Sequence, residues 1–416
     1  MKNFARFIVF LLVAGLAFGG WQLYTRSGGK APSVSLPQVT FKNDNSNTGN
    51  GNNNGNGNTG DNNGNNNGNT TNGGGSGASL TLITSATKKG WLETQVERFN
   101  AEKNRNVRIE YVETRDALQG ILNGKQKPVL WSPSAPLWAT RLSEAWGEKH
   151  GGETLVADND PNSYRVYLRT PIVFVTTKRK ATFLRPLLSG ARAWDNLADL
   201  SAGKKKLPGA TRLFVWAHAD PIKSNSGFLT LGLLLDAYVQ STNGATTPEQ
   251  AAVSAGFANY LHRVEKTMPL NAPVREGSSA LMKAFLQNPD RYDVITAYES
   301  SALEAAAKND DVAVLYPNPT VASEQVVVVL NADWVTPDQK DTAAELLTFL
   351  GGEDSLRDGV NQHFRPTRQS GSVTLSPEIG RRRAQGFQQT FTSVETPSYE
   401  ALNEAAVKWN AVIGTK

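Results

Sequence analysis

The 416-residue sequence contains no cysteine. That excludes disulfides, thiol nucleophiles, thiolate metal sites and a lipid-modified N-terminal cysteine. Histidine is scarce: His150, His218, His262 and His363 are all there are, and none stands at ligand spacing from another. Neither a metal site nor a cofactor is therefore expected. No G-x-x-x-x-G-K-[ST] phosphate loop and no G-x-S-x-G elbow occurs. The net charge of +5 is small for this length, and no basic stripe interleaved with aromatics is present. Nucleic acid is not an expected partner.

One long apolar run stands at the start. Phe7 to Tyr24 is almost wholly apolar, with Lys2 and Arg6 before it and Arg26 and Lys30 after. It is just long enough to span a bilayer as a helix. It reads as a retained anchor ending in interfacial Trp21 and Tyr24. The alternative is a cleaved secretory signal, since Ala17-Phe18-Gly19 resembles a cleavage site. Either way the globular part is expected outside the cytoplasmic membrane. Asn43 to Gly77 is nearly all Asn, Gly and Thr. Such a stretch has nothing to bury in a core and reads as a disordered tether.

From Ser79 the pattern becomes alternating strand and helix. Strands are expected at Leu80–Thr84, Val107–Val112, Pro128–Trp131, Ile172–Thr176, Arg212–Ala217, Tyr292–Ala297, Val312–Leu315 and Gln325–Leu330. Helices are expected between them, including Pro248–Lys266 and Glu276–Gln287 as single helices and a last one over Tyr399–Val412. Thr336-Pro337-Asp338-Gln339 is a strong helix start. The order implies α/β architecture with parallel, doubly wound sheets. The length of the α/β part exceeds one usual core, so two lobes are expected.

The most informative motif is the short strand running through Asp220-Pro221 into Ser224-Asn225-Ser226-Gly227 and then an apolar helix. A helix N-terminus there presents outward N–H groups and partial positive charge to an anion or polar ligand. Ordinary capping by Ser224 or Ser226 is the plain alternative.

Four segments carry a family resemblance: Thr84-Ser85-Ala86-Thr87-Lys88; Leu130-Trp131-Ser132-Pro133-Ser134-Ala135; Asp220 to Gly227; and His363-Phe364-Arg365-Pro366. Over Ser79–Thr367 the chain resembles the extracellular solute-binding proteins of ABC transport systems, in the type II periplasmic-binding fold. It looks nearest to the molybdate, sulfate and phosphate binders, although no complete residue set for one of those oxyanions is present. Hydropathy and composition set off 1–30 (anchor or signal) and 31–78 (linker), and the resemblance implies 79–170 (lobe 1), 171–322 (lobe 2) and 323–416 (return to lobe 1 and C-terminal helices). It places a ligand between the lobes, beyond the carboxyl ends of the strands. Ser85, Thr87, Lys88, Ser132, Ser134, Lys223, Ser224, Ser226, Gly227, Tyr298 and Glu299 are the candidate ligand-binding residues.

Lys88, Lys89 and Lys223 lie at helix starts, where a cation opposes the dipole. Lobe closure is expected to bring these ammonium groups together over an anion. Glu299 argues against an anion unless a lysine pairs with it. Trp131, at a strand end, raises a sugar-binding alternative. Ser85-Ala86-Thr87-Lys88 has the S-x-x-K form of penicillin-interacting enzymes, but KTG and SDN are absent, so catalysis is not expected. The expected partners are a small polar or anionic solute, an ABC permease or an envelope protein, and the membrane through the N-terminal helix. An envelope interaction module that reuses the fold without solute transport is the remaining alternative.

Overall fold

The computed structural model describes residues 79–368 and 370–414. The anchor and tether segments lie outside the described residues. Among the described residues, no helix is long and apolar enough to cross a membrane.

Among the described residues, nine strands form two sheets: β1 (Ser79–Thr84), β2 (Asn106–Tyr111), β3 (Leu130–Ser132), β4 (Tyr164–Thr177), β5 (Trp216–Ala217), β6 (Val294–Tyr298), β7 (Val312–Leu315), β8 (Ala322–Val329) and β9 (Arg365–Pro366). The first sheet has the order β2-β1-β3-β8-β4, with β9 on the far side of β4. The second has the order β5-β6-β4-β7. β4 serves both. Its residues 164–171 pair with β8, and its residues 172–177 pair with β6 and β7. Continuous burial from Pro171 to Thr177 explains the apolar run Ile172-Val173-Phe174-Val175, because both faces of that half are covered.

The sheets are mixed, not all parallel. β1 pairs in parallel with β2 and β3, and β5 with β6; β8, β6, β7 and β9 all run antiparallel to β4. The chain passes outward along β4 and back along β7 and β8.

Three element boundaries differ from the sequence expectation, each for a local reason. Only Trp216–Ala217 of the segment 212–217 is strand. The Asp293 carboxylate accepts from the Val215 N–H at 2.8 Å and grips Arg212, and Leu213 stays 53% exposed. The expected helix over 248–266 is two, Pro248–Val253 and Ala255–Val264. Ser254 between them is extended and caps the second through the Phe257 N–H. Gly277, at φ 114°, likewise separates Ala272–Glu276 from Ser278–Gln287. The start at Thr336 forms a full capping box, as expected.

The C-terminal helix, Tyr399–Gly414, packs on the helices Asn225–Ser241, Pro248–Val253 and Ala255–Val264. The sequence grouped it with the return to the first sheet; its buried face instead fits these helices of the second. Ala401, Leu402, Ala405, Ala406 and Trp409 form that face. Gly232 makes room for it: a Cβ there would sit 3.1 Å from a Leu402 methyl.

Candidate functional site

The carboxyl ends of the parallel strands meet at the seam between the sheets. Thr84 and Ser132 are adjacent in register at the ends of β1 and β3, and Tyr298 ends β6 beside Ile172. Helices begin just beyond: Lys89–Lys103, Pro136–Lys149, Asn225–Ser241 and Glu299–Lys308. In none of the four does the N-cap residue's own side chain close the first turn; only in Glu299–Lys308 does another residue do so, through Thr170. Ser224 occupies the N-cap position of Asn225–Ser241, yet its hydroxyl bonds Ser226 Oγ at 3.0 Å and leaves the backbone N–H groups alone. By contrast Thr177, Thr247, Ser254 and Thr336 each cap their helices directly.

Hydrogen bonds join the two sides. Ser85 Oγ and Ser134 Oγ lie 2.7 Å apart. Asn225 donates to the Ser134 carbonyl at 3.3 Å and to the Tyr298 hydroxyl at 2.9 Å, and accepts from Trp138 Nε1 at 2.7 Å. Ser323 Oγ donates to the Ser134 carbonyl at 2.5 Å, and Gln325 Nε2 donates to Ser323 Oγ. Thr170 accepts from the Ser300 N–H at 3.0 Å. Trp138, Phe228 and Tyr399 cluster over this network, with centroid separations of 5.0 Å, 5.5 Å and 6.1 Å. Burial pushes the Tyr298 hydroxyl well above its ordinary pKa, so it stays a proton donor.

Lys88 is 1% exposed, and its ammonium donates to Ser132 O, Ser132 Oγ and Pro133 O at 3.0, 3.0 and 2.9 Å. Burial lowers its pKa to about 7. These bonds go to Ser132 and not to Ser85, so the S-x-x-K spacing does not assemble a lysine–serine pair.

The predicted residues separate into three groups. Ser85, Ser134 and Tyr298 join one network, while Lys88 and Ser132 form its floor. Thr87 is half-buried beside Ser85. Ser224, Ser226 and Gly227 form the second wall; a Cβ on Gly227 would lie 2.1 Å from the Ala219 carbonyl, so only glycine fits. Lys223 and Glu299 stand apart. Lys223 is exposed, because the Asp220 carbonyl accepts from both the Lys223 and Ser224 N–H groups and turns that side chain outward. Lys89 pairs with Glu93 on the surface, so the expected convergence of three ammonium groups is not formed. Glu299 is fully buried and points to Arg365, which donates Nε to Oε2 at 2.5 Å and Nη2 to Oε1 at 2.6 Å. Tyr316 donates to the same carboxylate. Glu299 therefore neither repels a ligand nor needs a lysine. Trp131 is 0% exposed within β3, which removes it as a sugar platform.

Asn225, Trp138, Ser323 and Gln325 escaped the sequence reading. Asn225 lay inside the key motif, between the two serines; the signal was its amide at a helix start. Nothing local marked the others.

Two mixed sheets sharing one long strand, with helix N-termini gathered at their seam, define a periplasmic binding-protein fold. The chain belongs to the bacterial extracellular solute-binding proteins, whose family model matches residues 80–356. No match is found among curated proteins. Among solved structures it is similar to the sulfate-binding protein SubI of Mycobacterium tuberculosis H37Rv, with 18% identity, 82% of this chain and 99% of that one covered, and a TM-score of 0.51. A periplasmic thiamin binding protein shares 15% identity over 81% and 96%, with a TM-score of 0.57. Iron-bound HitA of Pseudomonas aeruginosa shares 13% over 80% and 99%, with a TM-score of 0.55.

Proposed function

We propose that this chain is an extracytoplasmic, membrane-tethered solute-binding protein without catalytic activity. It captures a small polar or anionic ligand between lobe 1 (79–170 and the return after 323) and lobe 2 (171–322) and presents it to an ABC-type permease or a signalling partner. The ligand set is Ser85, Thr87, Ser132, Ser134, Ser224, Ser226, Gly227 and Tyr298, with Lys88 behind them and Asn225 added. One observation carries this reading: three helices, Lys89–Lys103, Pro136–Lys149 and Asn225–Ser241, begin at the seam with their first N–H groups uncapped by any side chain. Such N-termini favour negative charge and hydrogen-bond acceptors. The buried Lys88 ammonium, which has oxygens but, among the described residues, no carboxylate paired with it, adds positive potential from below.

The test is a thermal-shift screen of the full chain over oxyanions, sugars and amino acids. A true ligand at about 100 times its Kd adds about 2.7 kcal/mol to the native state. Silence across the whole library would remove solute capture.

A second reading has its own support. The facing side chains already satisfy one another, and the C-terminal helix lies beyond the family match. An envelope interaction module would use the fold in this shut form. Pull-downs separate the two readings: a permease favours the first, other envelope proteins the second.

A further inference from the structure

We infer that Arg115 is the residue that grips a negatively charged group of the solute, a carboxylate, sulfate or phosphate. The inference rests on the cleft reading above and names the chemistry that the cleft selects. Arg115 is the second residue of the helix Thr114–Leu122. That helix follows β2 at the edge where the Val112 N–H donates to the Thr84 carbonyl. It therefore starts beside the ends of β1 and β3.

The guanidinium lies 5.5 Å from the Trp138 ring centroid and 5.3 Å from that of Phe228. Trp138 belongs to the helix after β3, and Phe228 to the helix after β5. Arg115 is thus wedged where the two sides meet. Its Nη1 donates to Asn403 Oδ1 at 3.1 Å, which fixes the plane of the group. Its Nε and Nη2 are buried and have no acceptor. Those two N–H groups form one edge of the guanidinium, the fork that matches two oxygens of a single oxyanion. The neighbouring Thr114, 4% exposed, also has a buried hydroxyl without a partner.

Buried donors without acceptors are uncommon in folded chains. Here several atoms of adjacent residues share that state on the ligand side of the sheet. Lys88 cannot play this role, since its three protons already go to Ser132 and Pro133. The carboxylates next in sequence are Glu113 and Asp116, and among the described residues neither forms an ion pair with Arg115. An oxyanion on the fork would be covered by the Trp138 and Phe228 rings as the sides close. A ring-walled, water-poor setting strengthens a bidentate pair.

The test uses the full chain in detergent micelles, at constant ionic strength. Sodium sulfate, sodium phosphate and sodium citrate are titrated by calorimetry, beside glucose and thiamine as uncharged and cationic probes. We expect at least one anion to bind. Arg115→Ala should weaken it at least tenfold, and Arg115→Lys, which keeps charge but not the fork, should recover only part. Arg357→Ala, on an exposed arginine paired with Glu353, should leave the affinity unchanged. Equal anion affinity in wild type and Arg115→Ala overturns the inference. Should Arg115→Ala fail to fold by circular dichroism, an undiminished affinity in Arg115→Lys overturns it instead. Binding of glucose or thiamine alone sinks the Arg115 assignment but leaves solute capture standing; binding of no probe removes both.

Discussion

Single residues decide how charge is handled at the seam. Lys88 is the clearest case. Burial lowers its pKa from 10.5 to about 7. Between those values the unfolded chain holds a proton that the folded chain has released. Stability should therefore rise with pH from about 7 towards 9.5, by at most about 1.4 kcal/mol per pH unit. Lys88→Met should flatten that rise in urea midpoints taken at pH 7, 8 and 9.5; an unchanged slope would mean that Lys88 is not the titrating group. The same proton links to ligand capture. An anion favours the ammonium, so its affinity should fall as pH rises above about 7, and calorimetry in buffers of different ionisation enthalpy would register proton uptake. Glu299 gives a second contrast. Its pair with Arg365 is fully buried, and deleting one partner of such a pair leaves an uncompensated charge. Glu299→Gln should cost about 3–5 kcal/mol. Lys89→Ala, which breaks an exposed pair with Glu93 and an exposed contact with the Tyr111 ring, should cost at most about 1 kcal/mol. Denaturant titration of both variants checks the difference.

At the scale of elements, close backbone approach sets the shape of the second wall. Gly227 lies where the helix Asn225–Ser241 crosses the Ala219 carbonyl. At Gly386, with φ 101°, an added Cβ would lie a similar 2.1 Å from the Val314 carbonyl. Alanine at either position should destabilise by about 1–3 kcal/mol through overpacking, while Gly190→Ala, where nothing lies within 4 Å, should be close to neutral. Thermal unfolding of the three variants orders them. The elements themselves were largely legible in the sequence, because long apolar periodicities and caps such as Thr336 act locally. What escaped was anything set by a distant partner. Asp293 shortened β5 by taking a ladder position from outside the strand. Glu299 read as a ligand group until Arg365, on another sheet, claimed it. Of the candidate site, the serines of both walls and Tyr298 could be singled out in the sequence because strand ends and glycine turns mark them. Arg115 and Trp138 were not, since helix-face residues look alike until the fold brings them to the seam.

At the scale of the molecule, the C-terminal helix acts as a clasp. It rests on helices of the second sheet, while Glu400 pairs with Arg141 at 3.5 Å and Asn403 holds Arg115 across the seam. Removing residues 398–416 would uncover the groove beside Gly232 and release those cross-contacts. We expect the truncated chain to be less stable and, in small-angle scattering, more expanded. An unchanged radius of gyration would show that the seam stays closed without the helix. β4 sets a different limit. Because one backbone is an inner strand of both sheets, the halves are not separable modules. A coding sequence divided after Pro171 would make two fragments, each lacking half of that strand. Neither fragment should fold alone, and recovery of structure on mixing them would require the broken ends to meet again side by side.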